Sequence, residues 1–229
     1  LPIIEQICDE DCAVVELSSF QLISMRRSPD VAVVTNVAPN HLDVHKDMEE
    51  YIEAKRNILR HQNAFSVTVL NADNVITASM AELVRGELRW FSHTKPVENG
   101  AFLRGDGMLC YCEHGRVTEL FPKTDIKIPG MHNVENSLTA IAAVWGEVPV
   151  EVIHNIAKSF GGVEHRIELV RELEGVKWYN DSIATSPTRT IAGLSCFDQK
   201  VILIGGGYDK HIPYEPLAPH LINKVKLLI

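Results

Sequence analysis

The chain lacks any long apolar run: no segment approaches the roughly 20 consecutive apolar residues that a membrane helix needs. It also lacks an excess of positive charge, and its net charge of −8 argues against a general nucleic-acid binder. A locally bound nucleotide stays possible. No Gly-Lys pair occurs, so there is no Walker A loop, and any cradle for a triphosphate must lie outside this chain. What is present is an ordinary globular composition, 45% hydrophobic and 23% charged over 229 residues.

Paired cysteines are missing as well. The five cysteines form an odd set without zinc-type spacing, which predicts reduced thiols in the cytoplasm. Cys110 and Cys112 would point to the same face of one strand, which disfavours a disulfide between them. We therefore interpret all five as structural or incidental. They are Cys8, Cys12, Cys110, Cys112 and Cys196.

The first informative stretch runs from Val14 to Gln21. Its short β-branched run predicts a buried strand that ends at Glu16. Ligands of parallel sheets bind at the carboxyl ends of strands, and a buried carboxylate must be paired or bind a cation. Two interpretations are open: Glu16 is a metal ligand in a cleft, or it caps a strand-to-helix turn.

Further apolar runs predict a mostly parallel sheet. Val31–Val34 and Val67–Leu70 have the pattern of buried strands, and polar residues up to His41 follow the first of them. A helix follows the second, to about Arg85. Between Leu88 and Ile128, short alternating runs separated by glycine turns predict an antiparallel meander appended to the sheet.

A helix is predicted from Asp47 to about His61, with Asp47 as N-cap and Glu50 completing a capping box. Its apolar spacing places Lys55 on the stripe of Tyr51, so Lys55 points towards the body of the protein. Such a lysine either extends along its methylene groups to solvent or has a depressed pKa and a chemical role.

Glu16, His41 and Lys55 together have the chemistry of a cation site. Carboxylate and imidazole groups suit a divalent cation such as magnesium or manganese. An ammonium group is a poor ligand, so Lys55 would take part only if modified, for example to an anionic carbamate.

The second half of the chain predicts two helices, over Gly130–Ala143 and Val150–Ser159, and then a hinge at Gly161-Gly162. A hairpin over 167–179 follows, then a helix that starts at Ser186-Pro187. The strand Val201–Ile204 runs into Gly205-Gly206-Gly207, an order typical of a nucleotide-type α/β domain. Arg166 and Asp181 form either a surface pair or part of a ligand site.

Seven motifs in order resemble the Mur ligases of bacterial peptidoglycan synthesis over nearly the whole chain. They are Glu16-Leu-Ser-Ser-Phe-Gln21, Asn36-Val-Ala-Pro-Asn-His41-Leu-Asp43, Ala54-Lys55, Gly130-Met-His-Asn-Val-Glu-Asn136, His165-Arg166, Asn180-Asp-Ser-Ile-Ala-Thr185 and Gly205-Gly-Gly-Tyr-Asp-Lys210. The Ser-Ser-Phe-Gln sequence is most similar to that of the family member that adds D-glutamate to UDP-N-acetylmuramoyl-L-alanine.

The resemblance implies an ATP-dependent, amide-forming ligase. ATP would phosphorylate the carboxylate of the UDP-linked substrate, and the D-glutamate amine would attack the resulting acyl phosphate. The implied fold is an α/β central ATPase domain over 1–162, with a mostly parallel sheet and a meander, and the first half of a Rossmann-like C-terminal domain over 163–229. We expect an internal piece of a longer protein that has no ligase activity alone. The full-length protein is expected to be a monomer, whereas the open sheet edge of the piece favours self-association.

The resemblance also implies roles for single residues. Glu16, His41 and a carbamylated Lys55 would hold magnesium, and His41 and Lys55 would serve catalysis. Ser18 and Gln21 would contact the UDP-linked substrate, and Thr185 and Lys210 would contact D-glutamate. Nucleotide contacts would come from Asn133, Asn136, Arg166 and Asp181.

The pattern departs from the family at Ile183, where a lysine is frequent, so one positive contact is missing. Three alternatives stay open. The chain could belong to a ligase of the family that adds another amino acid, to an enzyme similar to folylpolyglutamate synthase, or to a binding module that keeps the fold without turnover.

Overall fold

The computed structural model describes residues 4–38, 45–207 and 213–229. Its main sheet has six strands in the order β1-β2-β3-β4-β5-β6. The strands β1 to β4 run parallel, and β4, β5 and β6 pair antiparallel. Their bounds are β1 Val31–Val34, β2 Val67–Asn71, β3 Glu87–Ser92, β4 Gly100–Leu103, β5 Met108–Glu113 and β6 Arg116–Pro122.

Two smaller sheets follow in the second half of the chain. The strands β7, Glu168–Leu173, and β8, Val176–Asn180, form an antiparallel hairpin. The strands β9, Val201–Leu203, and β10, Val225–Leu228, pair parallel. The helices are α1 Ser19–Ile23, α2 Met48–Arg60, α3 Val75–Ser79, α4 Met131–Val144, α5 Val150–Ser159, α6 Pro187–Ser195 and α7 Ala218–Lys224. Short 3₁₀ helices occur at Ile4–Gln6, Met80–Leu83, Lys123–Asp125 and Glu215–Leu217.

The main sheet is covered on both faces because successive residues of its parallel strands point to opposite sides. In β2, Val69 packs in a cluster with Leu138 and Ile141 of α4. The next residue, Leu70, packs on the other face with Tyr51 and Leu59 of α2. The helix α2, which carries Lys55, is therefore fixed to the sheet by its apolar stripe.

Most predicted elements are confirmed, and so is the α/β class with its mostly parallel sheet. The Asp47 side chain caps α2 by accepting a hydrogen bond of 2.9 Å from the Glu50 N–H. The Glu50 carboxylate accepts from the Lys46 N–H rather than from Asp47, so the predicted capping box is only half formed.

The predicted strand at Val14 is wrong. The residues before α1 have no regular structure from Asp11 to Ser18, and the side chains of Val14 and Val15 are 95% and 63% exposed. A short apolar run becomes a strand only when a neighbouring strand takes its hydrogen bonds, and none of the described strands pairs with this segment. Glu16 therefore does not end a strand, and the N-cap of α1 is Ser18.

The predicted meander is wrong at its first strand and right for the rest. The strand β3 pairs parallel with both β2 and β4, and antiparallel pairing begins between β4 and β5. The glycine turns at Gly107 and Gly115 have positive φ, as the predicted hairpins require. The helix after β2 is also shorter than predicted, because α3 ends at Ser79 and a 3₁₀ turn continues to Leu83.

Among the described residues, no helix is both long enough and apolar enough to cross a membrane. The domain boundary at 162 stays a prediction.

Candidate active site

A polar cleft of about 390 Å³ lies between α1, α2 and the first turn of α6. It brings together Glu16, Ser18, Gln21 and Lys55, which the sequence analysis took from two separate motifs. Its lining residues are Glu16, Leu17, Ser18, Ser19, Gln21, Tyr51, Lys55 and Arg189. We call it the Glu16–Lys55 cleft.

Ser18 and Gln21 hold the α1 wall of this cleft. The Gln21 side-chain oxygen accepts a hydrogen bond of 2.8 Å from the Ser18 N–H, and the Ser18 hydroxyl donates to the same oxygen. The Ser18 oxygen also accepts from the Gln21 N–H, which completes a capping box. These hydrogen bonds give both side chains a local structural role. Both side chains are also exposed at the cleft.

His45, just before α2, contacts the α1 wall of the cleft. The Ser19 hydroxyl lies 2.9 Å from His45 Nε2, and the Phe20 and His45 rings stack with centroids 5.2 Å apart. Further along, the Asn57 amide donates to the carbonyl of Met25 at 3.0 Å. These contacts fix α1 against α2.

Lys55 faces the cleft from α2 and is partly buried, as its apolar stripe predicted. Its Nζ lies 5.8 Å from the centroid of the Tyr51 ring. Burial lowers the pKa of Lys55, and the nearby Glu16 carboxylate opposes that shift. Glu16 itself is exposed and forms no ion pair or hydrogen bond with any residue in the described ranges.

The cation site is only partly visible. Glu16 and Lys55 border the same cleft, whereas His41 lies outside the described residues. Within 4–38, 45–207 and 213–229, no group of three or more His, Cys, Asp or Glu side chains could hold a metal ion. A modified Lys55 would not be counted in such a group. The roles of Glu16, His41 and Lys55 as metal ligands stay a prediction.

A second, apolar cavity of about 310 Å³ lies beside α4 and α5, and it contains three of the four predicted nucleotide residues. Asn133, Asn136 and Arg166 line it together with aliphatic side chains such as Ile141 and Ile153. The Asn133 amide donates to the Pro129 carbonyl at 2.6 Å, and the Asn136 amide donates to the Asn133 side-chain oxygen at 3.4 Å. We call it the Asn133–Arg166 cavity.

Arg166 stands between two residues with positive φ, His165 at 65° and Ile167 at 46°. Such a backbone is rare for a β-branched residue. The turn is held in part by Asp181, whose carboxylate accepts a hydrogen bond of 3.2 Å from the Ile167 N–H. Burial raises the pKa of Asp181, while that hydrogen bond and the Arg166 charge oppose the shift. Asp181 therefore lies close to Arg166 without forming an ion pair within 4 Å.

Of the two predicted D-glutamate residues, Thr185 is among the described residues, and it lines neither the Glu16–Lys55 cleft nor the Asn133–Arg166 cavity. Thr185 is exposed in the loop before α6, and its N–H donates to the Ile183 carbonyl at 2.9 Å. Lys210 lies outside the described residues.

Sequence reasoning missed Arg189, which lines the Glu16–Lys55 cleft from α6. Its only sequence signal is its position three residues after Ser186, the predicted N-cap, and that position says nothing about the cleft. The approach of α6 to α1 and α2 depends on the tertiary fold.

The fold is that of an α/β protein with a mostly parallel sheet, and sequence comparison identifies the family. The description "Mur ligase middle domain" matches residues 4–144, and the chain belongs to the Mur ligase family. The resemblance inferred from the seven motifs is thereby confirmed.

Two relatives carry the name UDP-N-acetylmuramoylalanine--D-glutamate ligase. The protein of Acetivibrio thermocellus is 58% identical over 226 residues, 99% of this chain and 48% of that protein. The protein of Clostridium novyi is 50% identical over 226 residues, again 99% of this chain and 48% of that protein. The chain thus spans about half the length of these relatives.

Solved structures support the fold. The ligase MurC of Thermotoga maritima matches with a TM-score of 0.64 at 18% identity, over 92% of this chain and 47% of that one. A pseudomurein peptide ligase type C from Methanothermus fervidus matches with a TM-score of 0.61 at 17% identity, over 87% of this chain and 48% of that one. At these identities the likeness concerns the fold alone.

Proposed function

We propose that this chain is the central part of a cytoplasmic, ATP-dependent ligase that joins D-glutamate to UDP-N-acetylmuramoyl-L-alanine in peptidoglycan synthesis. One observation carries the proposal: Glu16, Ser18, Gln21 and Lys55, from two separate motifs, border one polar cleft. The names of the relatives that are 50–58% identical support the choice of substrates.

Glu16 and Lys55, with His41, are the proposed holders of magnesium or manganese. Glu16 is an unpaired carboxylate among the described residues and faces an open cleft, so it can accept a hard cation. Lys55 would contribute as a carbamate, which exchanges a positive charge for an anionic oxygen donor. When bound, such a cation offsets the negative charge that develops as phosphate is transferred and lost.

The Asn133–Arg166 cavity is the proposed place of the ATP base. Its aliphatic walls suit the faces of a flat ring, and the Asn133 and Asn136 amides at one end can hydrogen-bond the polar edge of that ring. Arg166 adds a positive charge at the same cavity, and Asp181 fixes the turn that presents it. A phosphate loop is not among the residues of this chain.

Ser18 and Gln21 are proposed to contact the UDP-linked substrate with the hydrogen-bonding capacity left by their capping box. Thr185 and Lys210 are proposed for the D-glutamate side. The role of Thr185 requires that the loop before α6 face the Glu16–Lys55 cleft, and Arg189 at the start of α6 lines that cleft.

The test is an assay of the full-length gene product with ATP, magnesium, UDP-N-acetylmuramoyl-L-alanine and a panel of amino acids. We expect ADP release that depends on D-glutamate. Dependence on a different amino acid would identify another ligase of the family. Dependence on a folate substrate would identify an enzyme similar to folylpolyglutamate synthase. Nucleotide binding without turnover for any substrate would identify a binding module instead.

A further inference from the structure

Arg189 brings a second cation to the Glu16–Lys55 cleft, from α6 rather than from α1 or α2. It is the third residue of α6, and it lines the cleft with Glu16, Lys55 and Tyr51. The loop before it contains no basic residue from Asn180 to Thr188, and it presents the apolar Ile183. Arg189 is therefore the cation that this part of the chain offers to the cleft.

The guanidinium is held in place but mostly free to bind. One of its terminal nitrogens donates to the Ile183 carbonyl at 3.2 Å, which fixes the side chain on its own loop. It forms no ion pair with an acid in the described part of the chain, although it is close enough to Asp181 to affect that carboxylate. A guanidinium has five N–H donors in a planar fork, so several stay available for a carboxylate.

The charges of the cleft favour an anionic ligand near Arg189. Elsewhere in the cleft, the Glu16 carboxylate lies near Lys55, and the Ser18–Gln21 wall is neutral. Three of the four proposed nucleotide residues line a different cavity beside α4. A bidentate guanidinium–carboxylate pair is short, strong and selective for planar anions. The UDP-linked substrate is also an anion, but it is assigned to the Ser18–Gln21 wall of the cleft. The amino acid is therefore the anionic reactant left for Arg189.

We propose that Arg189 binds the side-chain carboxylate of the amino-acid substrate and so helps to select an acidic amino acid. This inference rests on the function proposed above. Arg189 is a specificity-determining residue here, because its guanidinium contacts the substrate and takes no part in bond formation. Its contact with Ile183 orients the guanidinium before the substrate arrives, which lowers the entropic cost of binding.

The experiment measures the KM for D-glutamate, the KM for ATP and kcat in the full-length ligase and its Arg189→Met and Arg189→Lys variants. Arg116→Met is the matched control, since Arg116 is exposed in the β5–β6 hairpin and lines neither cavity. We expect Arg189→Met to raise the KM for D-glutamate about 10- to 100-fold, with the KM for ATP unchanged. Arg189→Lys keeps the positive charge but loses the planar, two-pronged set of N–H donors, so its KM for D-glutamate should lie between those of the wild type and Arg189→Met.

D-Glutamine identifies which carboxylate is bound. If Arg189 holds the side-chain carboxylate, Arg189→Met abolishes most of the preference for D-glutamate over D-glutamine. If both KM values rise by the same factor, Arg189 holds the α-carboxylate that all amino acids share, and the inference that it selects an acidic amino acid is overturned. The inference is overturned if the KM for D-glutamate changes no more than in Arg116→Met, or if only the KM for ATP or the UDP-linked substrate rises. An inactive wild-type protein would instead refute the proposed function.

Discussion

Asp73 connects the ends of two neighbouring strands through a single carboxylate. It accepts hydrogen bonds from the Ser92 hydroxyl at 2.7 Å, from the His93 N–H at 2.8 Å and from the Thr94 hydroxyl. Burial alone would raise the pKa of Asp73, but these hydrogen bonds favour the charged form and lower the pKa overall. The carboxylate therefore stabilises the folded chain while it is ionised.

We predict that Asp73→Asn destabilises the fold by about 1–3 kcal/mol at neutral pH. Because the folded-state pKa lies below the unfolded value, the wild-type advantage is complete above the unfolded pKa of about 3.9 and is lost as pH falls through the folded pKa. Urea unfolding at neutral and acidic pH measures the difference. Asp198→Asn, an exposed acid, is the control. An equal loss at both pH values would contradict this account.

At the scale of elements, α4 carries two of the proposed nucleotide residues, Asn133 and Asn136, and forms one wall of their cavity. Ala140 lines the Asn133–Arg166 cavity about one turn beyond Asn136, and its small side chain leaves the cavity open. A larger side chain at this position would enter the space that we assign to the ATP base.

We predict that Ala140→Phe raises the KM for ATP about tenfold, equivalent to about 1.4 kcal/mol, and leaves the KM for D-glutamate unchanged. Ala64→Phe, in the exposed loop between α2 and β2, controls for added bulk. Thermal unfolding of both variants separates a local steric effect from loss of the fold. An unchanged KM for ATP in a folded Ala140→Phe protein would place the base elsewhere.

The elements that the sequence predicted well are those with local signals. Asp47 caps α2 through its own side chain, and the apolar stripe that holds Tyr51 directs Lys55 inward. The strand predicted at Val14 failed because a strand depends on a partner that may be far away in sequence. Likewise, the direction of β3 is set by its neighbours, and its alternating pattern fits either direction.

At the scale of the whole molecule, the sequence named candidate site residues but could not predict where in the fold they meet. The motifs predicted Glu16 and Lys55, and the fold brings both to one cleft. Asn133, Asn136 and Arg166 likewise share a cavity although they come from separate segments. Arg189 could not be found this way, because an arginine near a helix start is common and its contact with the cleft arises only when α6 packs near α1 and α2.

The central claim is that the Glu16–Lys55 cleft is where the ligase reaction takes place. The most direct measurement is D-glutamate-dependent ADP release by the full-length protein with Glu16→Gln, beside Glu10→Gln as an exposed acid of the same segment outside the cleft. Since Glu16→Gln removes a proposed ligand of the catalytic cation, we predict a fall in kcat of at least about 100-fold, with the fold intact and Glu10→Gln fully active. A Glu16→Gln protein that turns over at the wild-type rate would contradict the account.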